Sequence, residues 1–303
     1  MRKLALAGLL IAIAVAATAW RPQWLLAAEY ARLRWLAGAE VESLSAAGHR
    51  WQYLEAGSGP TVVLVHGFTG AKEHWLPLMA QLSARFHLIA PDLPGWNASE
   101  RQPGADYGVI AQADRLHAFI AALGDEPVIV VGHSMGGHIS GLLAADHPGQ
   151  VQRLVLMSSA GVPFTDNAFS IAVRAGGNPF AVHNRADLHR QMALVFSTPP
   201  FLPWPADLAL ARQRAANADF ESAVLAKISA PEQRYALAAR LPDIRMPVLL
   251  LWCRQDRVID VSAMHAFRAG LPDSRSVVLE GCGHMPMMER RDAVAKAIAA
   301  WPL

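Results

Sequence analysis

Val128-Ile129-Val130-Val131 runs directly into Gly132-His133-Ser134-Met135-Gly136-Gly137, and from Met135 to Asp146 the apolar residues fall at helical spacing. A short β-branched run of this kind reads as a strand buried on both faces. Handing it straight to a helix demands a corner so tight that the residues around Ser134 must be nearly free of side chain. The serine then stands at the first turn of the helix, where backbone N–H groups face it. Its simplest role would be to cap that helix. A serine held on a strained strand–turn–helix corner is also the arrangement that exposes a nucleophile above a parallel sheet.

The rest of the chain repeats the strand–helix alternation. Strands are read at His49–Glu55, Thr61–Val65, His87–Ala90, Val151–Met157, Val248–Trp252 and Ser276–Leu279, with helices over Lys72–Leu82, Tyr107–Leu123 and Arg290–Ala300. Such alternation implies an α/β domain, its mostly parallel sheet flanked by helices on both faces. One interval is too long. About ninety residues separate Met157 from Val248, where a crossover needs roughly a dozen. The excess is broken by Pro179, Pro199, Pro200, Pro203, Pro205 and Pro231 and is rich in phenylalanine. It reads as a helical cap, or lid, over residues 163–240, set into a core made of 48–162 and 241–303.

Composition narrows the function classes. Apolar residues make up 53% of the 303 and charged residues 17%, against about 25% charged in an ordinary soluble domain, which excludes a disordered chain. The net charge is +2 and the basic residues are scattered. Even Arg185 and Arg190 flank Asp187, so no basic stripe for nucleic acid exists. Two cysteines, Cys253 and Cys282, are too few for a disulfide scaffold or a cysteine zinc site.

The N-terminus is a separate element. Arg2 and Lys3 precede an uncharged stretch from Leu4 to Trp20, 17 residues, the short end of the roughly 17–25 that span a bilayer. Residues 1–22 are expected to be a signal anchor, or a signal peptide cleaved after Ala17-Thr18-Ala19. Either places the remainder outside the cytoplasm, membrane-anchored in the first case and secreted in the second. Residues 23–47 are expected to form an amphipathic connector lying on the membrane surface, with Glu29, Arg32 and Arg34 between apolar positions.

A serine hydroxyl is a poor nucleophile at neutral pH and needs a positioned base. In this topology an acid and then a histidine follow, each beyond the carboxyl end of a later strand. Asp256 lies four residues past Trp252, and His284, in Gly281-Cys282-Gly283-His284, five past Leu279. Asp260 is a rival acid, although Asp260-Val261-Ser262 reads better as the start of a helix. The alkoxide that develops needs preorganised donors. The N–H of Met135 is one, and the N–H of Phe68, in His66-Gly67-Phe68-Thr69-Gly70 after the second strand, is the other.

At these residues the chain resembles the α/β-hydrolase family, from about Gly48 to Trp301. The His66-Gly67-Phe68 loop, Pro91-Asp92-Leu93-Pro94-Gly95, Gly132 to Gly137, Asp256 and Gly283-His284 stand in that family's order. Within it the chain is similar to membrane-anchored monoacylglycerol lipases and their bacterial lipase and esterase relatives. The supporting residues are the N-terminal segment, the Ala71-Lys72 and Trp75 that follow the loop, Pro199-Pro200-Phe201-Leu202-Pro203, and His284-Met285-Pro286-Met287-Met288-Glu289. The resemblance implies the α/β-hydrolase fold with its cap between strands 6 and 7. It implies a serine ester hydrolase working through an acyl-enzyme on Ser134, with no metal or organic cofactor. The expected substrate is a small lipid ester such as a monoacylglycerol, met at a membrane surface and held by His66, Trp75, Phe164, Phe196, Phe201, Trp204 and Met285. Carbon–carbon bond hydrolysis by the same triad is the alternative, as is a catalytically silent relative that only binds a ligand. Asn97 departs from the pattern, standing where many relatives have glycine, and is expected to alter loop shape. Cys253 departs likewise. It and Cys282 end neighbouring strands, within the Cα separation of a disulfide, and are expected to bond in an oxidising compartment.

Overall fold

The strands read from the sequence join one eight-stranded sheet in the computed structural model, which describes residues 21–301. Its strands are β1 (Glu40–Ala46), which the sequence reading did not include, and β2 (His49–Ala56), β3 (Thr61–Val65), β4 (His87–Pro91), β5 (Val128–His133), β6 (Val151–Met157), β7 (Val248–Cys253) and β8 (Arg275–Leu279). The spatial order is β1-β2-β4-β3-β5-β6-β7-β8. β2 runs antiparallel to both β1 and β4, and all other neighbours are parallel. β5 and β7 are buried along their whole length, which is why they read as unbroken apolar runs rather than as alternation.

The helices are α1 (Gln23–Ala37), α2 (Leu76–Leu82), α3 (Val109–Leu123), α4 (Met135–Asp146), then α5 (Ala168–Arg174), α6 (Arg185–Val195), α7 (Ala206–Ala215), α8 (Ala218–Ser229) and α9 (Pro231–Arg234) in the cap, and α10 (Ala263–Gly270), α11 (Pro286–Glu289) and α12 (Arg291–Ala299) after it. The cap lies between β6 and β7, as the interval in the sequence requires. Two of its helices, α5 and α6, start on asparagine side-chain caps. Asn167 and Ser170 form a reciprocal capping box, and Asn184 accepts from the N–H of Asp187, each satisfying N–H groups the helix itself leaves unpaired.

Residues 23–47 are not one amphipathic connector. They divide into α1 and the edge strand β1. Helix α1 packs on α2 and on the cap helix α7, yet Trp24, Trp35 and Leu36 on it remain exposed, so it lacks a clean polar face. β1 pairs with β2 along its full length through Ala47 and Gly48, both at positive φ, the backbone of a two-residue hairpin turn. The Lys72–Leu82 helix is likewise in two pieces, a 3₁₀ turn over Lys72–Trp75 followed by α2. Residues 1–20, which carry most of the expected anchor or signal peptide, lie outside the described residues. Among the described residues no helix is long and apolar enough to cross a membrane.

Candidate active site

Ser134 occupies the corner between β5 and α4 with φ 55° and ψ −120°, a conformation that costs a non-glycine residue energy and is held only by its surroundings. Those surroundings are close. A Cβ on Gly136 would lie 2.3 Å from the carbonyl oxygen of Val65, and one on Gly67 would lie 2.9 Å from the Cβ of Ser134. Neither the corner nor the loop after β3 closes on the serine unless both are glycine.

His284 follows β8 and is buried, and its Nδ1–H donates to Asp256 Oδ2 at 2.8 Å. The other oxygen of Asp256, beyond β7, accepts the N–H groups of Val258 and Ile259 at 2.9 and 3.0 Å. Both oxygens of that carboxylate are therefore engaged, which fixes its aim. Asp260 turns away and accepts the N–H of Ser262, so it stays at the approach to α10. Ser134 and His284 line one cavity. Among the described residues the Ser134 hydroxyl makes no hydrogen bond to the imidazole. Such contacts are often long without substrate and tighten in the complex. His133 braces the backbone of His284, donating from Nε2 to its carbonyl at 2.6 Å. Burial and the neighbouring His284 hold its pKa well below the usual range, so it is neutral.

The loop carrying Phe68 is stapled from three sides. His66 donates from Nδ1 to Gly67 O at 2.8 Å and accepts the N–H of Leu93 at Nε2. Burial pulls its pKa down to about 4. His66 thus borders the cavity as scaffold, both nitrogens engaged, rather than as a free binding group. Lys72 reaches Asp92 Oδ2 at 2.6 Å and Glu73 at 3.1 Å. Burial lowers its pKa, but the two carboxylates outweigh burial and the net shift is upward. Asn97 takes the left-handed backbone a glycine would take, φ 45°, and its amide donates to Gly70 O at 2.8 Å. The departure from glycine thus adds a tie to this loop.

Two cavities meet at Ser134. One, of about 120 Å³, is walled by Val109, Met135, Val162, Phe164, Phe169 and Ile259. The other, of about 330 Å³, runs beneath α1 and the cap past His284, Met285, Phe196 and Gln191 to Phe201. Phe68 and Phe180, with ring centroids 5.6 Å apart, border both. Of the expected pocket residues, Phe164 lines the smaller cavity, and His66, Phe196, Phe201 and Met285 the larger. Trp75 and Trp204 line neither. Trp75 is fully buried in the core, and Trp204 is 60% exposed. Phe169 and Phe180 were visible as cap aromatics, but which rings turn inward depends on how the cap helices settle. Gln191 and Arg214 carry no local signal at all.

Cys253 and Cys282 are joined by a disulfide, with Cα atoms 5.4 Å apart. The bond ties the ends of β7 and β8, three residues before Asp256 and two before His284. The same loops clasp the cap. His284 N–H donates to Val195 O at 2.7 Å, Arg257 Nη2 donates to Phe196 O at 2.8 Å, and Glu289 accepts from Gly283, Ser197 and Thr198.

Comparison with known proteins agrees with this architecture. Residues 62–297 match the alpha/beta hydrolase family. Lipase 1 of Psychrobacter immobilis is 32% identical over 263 residues, covering 84% of this chain and 82% of that protein. The mouse monoacylglycerol lipase ABHD6 is 29% identical over 80% of this chain and 75% of its own. A crystal structure of a membrane phospholipase A, described as a bacterial virulence factor, superposes with a TM-score of 0.89 at 37% identity, covering 99% of this chain and 97% of its own.

Proposed function

The chain belongs to the alpha/beta hydrolase family, and we propose that it is a serine carboxylic-ester hydrolase that cleaves acyl lipids such as monoacylglycerols. The observation that carries this reading is Ser134 on its strained corner, sharing a cavity with a histidine bonded through Nδ1 to a buried carboxylate whose other oxygen is also engaged.

The steps follow from the positions. Ser134 Oγ attacks the ester carbonyl carbon while His284 Nε2 takes its proton. Asp256 keeps the proton of Nδ1 in place and stabilises the imidazolium without itself being protonated. The N–H groups of Phe68 and Met135 receive the oxyanion, donors whose individual loss elsewhere costs about 2.7–4 kcal/mol. His284 then returns the proton to the departing alcohol, leaving an acyl group on Ser134. A water deprotonated by His284 attacks that ester, and the carboxylic acid leaves as the serine regains its proton.

The apolar walls of both cavities suit acyl chains. Phe201, at the end of the larger cavity, is 90% exposed, and a lipid surface is a natural cover for an exposed aromatic there. A disulfide beside the site favours an oxidising compartment outside the cytoplasm, membrane-anchored or secreted.

The test is a series of 4-nitrophenyl esters of increasing chain length together with monoacylglycerols, wild type beside Ser134→Ala. Turnover of acyl esters that vanishes in the variant supports the reading. Wild-type protein inert on every ester overturns it.

A further inference from the structure

The two cavities at Ser134 are chemically unequal. His284 lines only the larger one, whereas the smaller holds Ser134, Met135 and Phe68 without it. In ester cleavage the proton taken by His284 must be handed to the leaving oxygen, so that oxygen stands on the His284 side. The alcohol half of the ester then occupies the larger cavity and the acyl chain the smaller.

The larger cavity also bears a polar group that an acyl chain does not require. Gln191, on α6, is 7% exposed and accepts at Oε1 from Arg214 Nη1 at 2.8 Å. The guanidinium is gripped in turn by both oxygens of Glu221, at 3.0 and 2.9 Å. A guanidinium has only donors, so it can meet the amide only through oxygen. The Gln191 amide is thereby locked, with Nε2 turned to Thr69 Oγ1 at 3.4 Å, next to Phe68 in the chain. That contact is long, and the NH₂ has a second proton to give. The Arg214–Glu221 pair is itself nearly buried, with side chains 12% and 5% exposed. Such a pair adds little net stability over apolar packing, but it holds one amide in one orientation.

The geometry points to Gln191 as a specificity-determining residue. Oriented by Arg214 and Glu221, it donates a hydrogen bond to a further oxygen of the leaving alcohol, so the site favours esters of a polyol such as glycerol over those of a simple alcohol. This rests on the ester-hydrolase reading of Ser134.

The experiment compares 1-butanoylglycerol with methyl butanoate, one acyl chain short enough for the smaller cavity, for wild type, Gln191→Leu and the nearly isosteric Gln191→Met. One lost hydrogen bond should lower kcat/KM on the glycerol ester about fivefold, mostly through KM, and change the methyl ester less than about twofold. Equal losses on both esters mean that Gln191 only supports the fold, and overturn the proposal. If neither variant folds, the wild type still decides. Glycerol should capture the acyl group from the acyl-enzyme more efficiently than propan-1-ol at equal concentration, and equal capture sinks the idea. Wild type inactive on both esters would instead remove the reading of Ser134 itself, and this inference with it.

Discussion

Asp256 holds His284 by a 2.8 Å hydrogen bond to Nδ1 while its second oxygen is occupied by two backbone N–H groups. The carboxylate therefore has one orientation, and the imidazole one tautomer, with Nε2 left without a proton in the cavity that Ser134 also lines. Asp260, four residues on, is spent on the N–H of Ser262.

Asp256→Asn is accordingly expected to lower kcat by about 10⁴-fold with little change in KM, because the amide can present an N–H to Nδ1 and reverse the tautomer. Asp260→Ala should stay within about threefold of wild type, since it loses only a local turn contact. Steady-state kinetics on a soluble ester measure both. Comparable losses in the two variants would return the acid to open choice between them.

Ser134, Asp256 and His284 were legible because each is announced by backbone chemistry: a glycine corner after a buried strand, or a turn at the end of one. The cap was legible only as an interval too long for a crossover. β1 was not, because Glu40–Ala46 is an edge strand with no buried residue, so no alternation marks it. Its one signal is Ala47-Gly48, and alanine is a poor advertisement for a turn with two positive φ angles. Trp75 was misplaced for a related reason. It follows the His66–Gly70 loop in sequence, but the 3₁₀ turn that contains it points the indole into the core. Pairwise contacts between cap and core, such as Gln191 with Thr69, are long-range and leave no trace in local spacing.

The Cys253–Cys282 disulfide closes a loop with a sequence separation of 29. Chain entropy alone makes that worth about 3–4 kcal/mol. Cys253→Ala/Cys282→Ala is expected to lower Tm by several degrees. It should also lower kcat, since the bond ties the ends of the strands leading to Asp256 and His284. Thermal unfolding and kinetics of the double variant check this, alongside thiol counting on the denatured wild type. Two free thiols in protein from an oxidising compartment would contradict it.

Acid should unfold the protein well before its carboxylates are all protonated. Burial pulls His66 to about 4 and His138 to about 3, from an ordinary value near 6.5. Between those limits the unfolded chain binds a proton at each histidine and the folded chain does not. Stability therefore rises with pH there, by roughly 1.4 kcal/mol per pH unit for each group. It is fully present above pH 6.5 and is lost as pH falls toward 4. Among the described residues His138 Nε2 is also buried without a partner, so His138→Leu removes a group whose burial is costly. Tm measured from pH 8 to 4.5 should fall less steeply in His138→Leu than in wild type. Parallel curves would mean that His138 carries its proton in the fold.

Glu289 joins the loop of His284 to the cap. Its Oε1 accepts the N–H of Gly283 at 2.7 Å, and its Oε2 accepts those of Ser197 and Thr198 at 2.8 and 3.1 Å. A carboxylate taking three backbone N–H groups is hard to replace, because hydrogen bonds to a charged acceptor are stronger than neutral ones. Glu289→Ala frees Gly283, next to His284, and the chain just past α6 at the same time. Misplacement of the imidazole by a fraction of an ångström is enough to slow proton transfer. The variant is expected to lose about tenfold or more in kcat on a soluble ester and to melt a few degrees lower. Glu289→Gln, which can accept through its remaining carbonyl oxygen at one end only, should fall between the two. Rates equal to wild type in both variants, with only Tm lowered, would show that the clasp supports the cap without positioning His284.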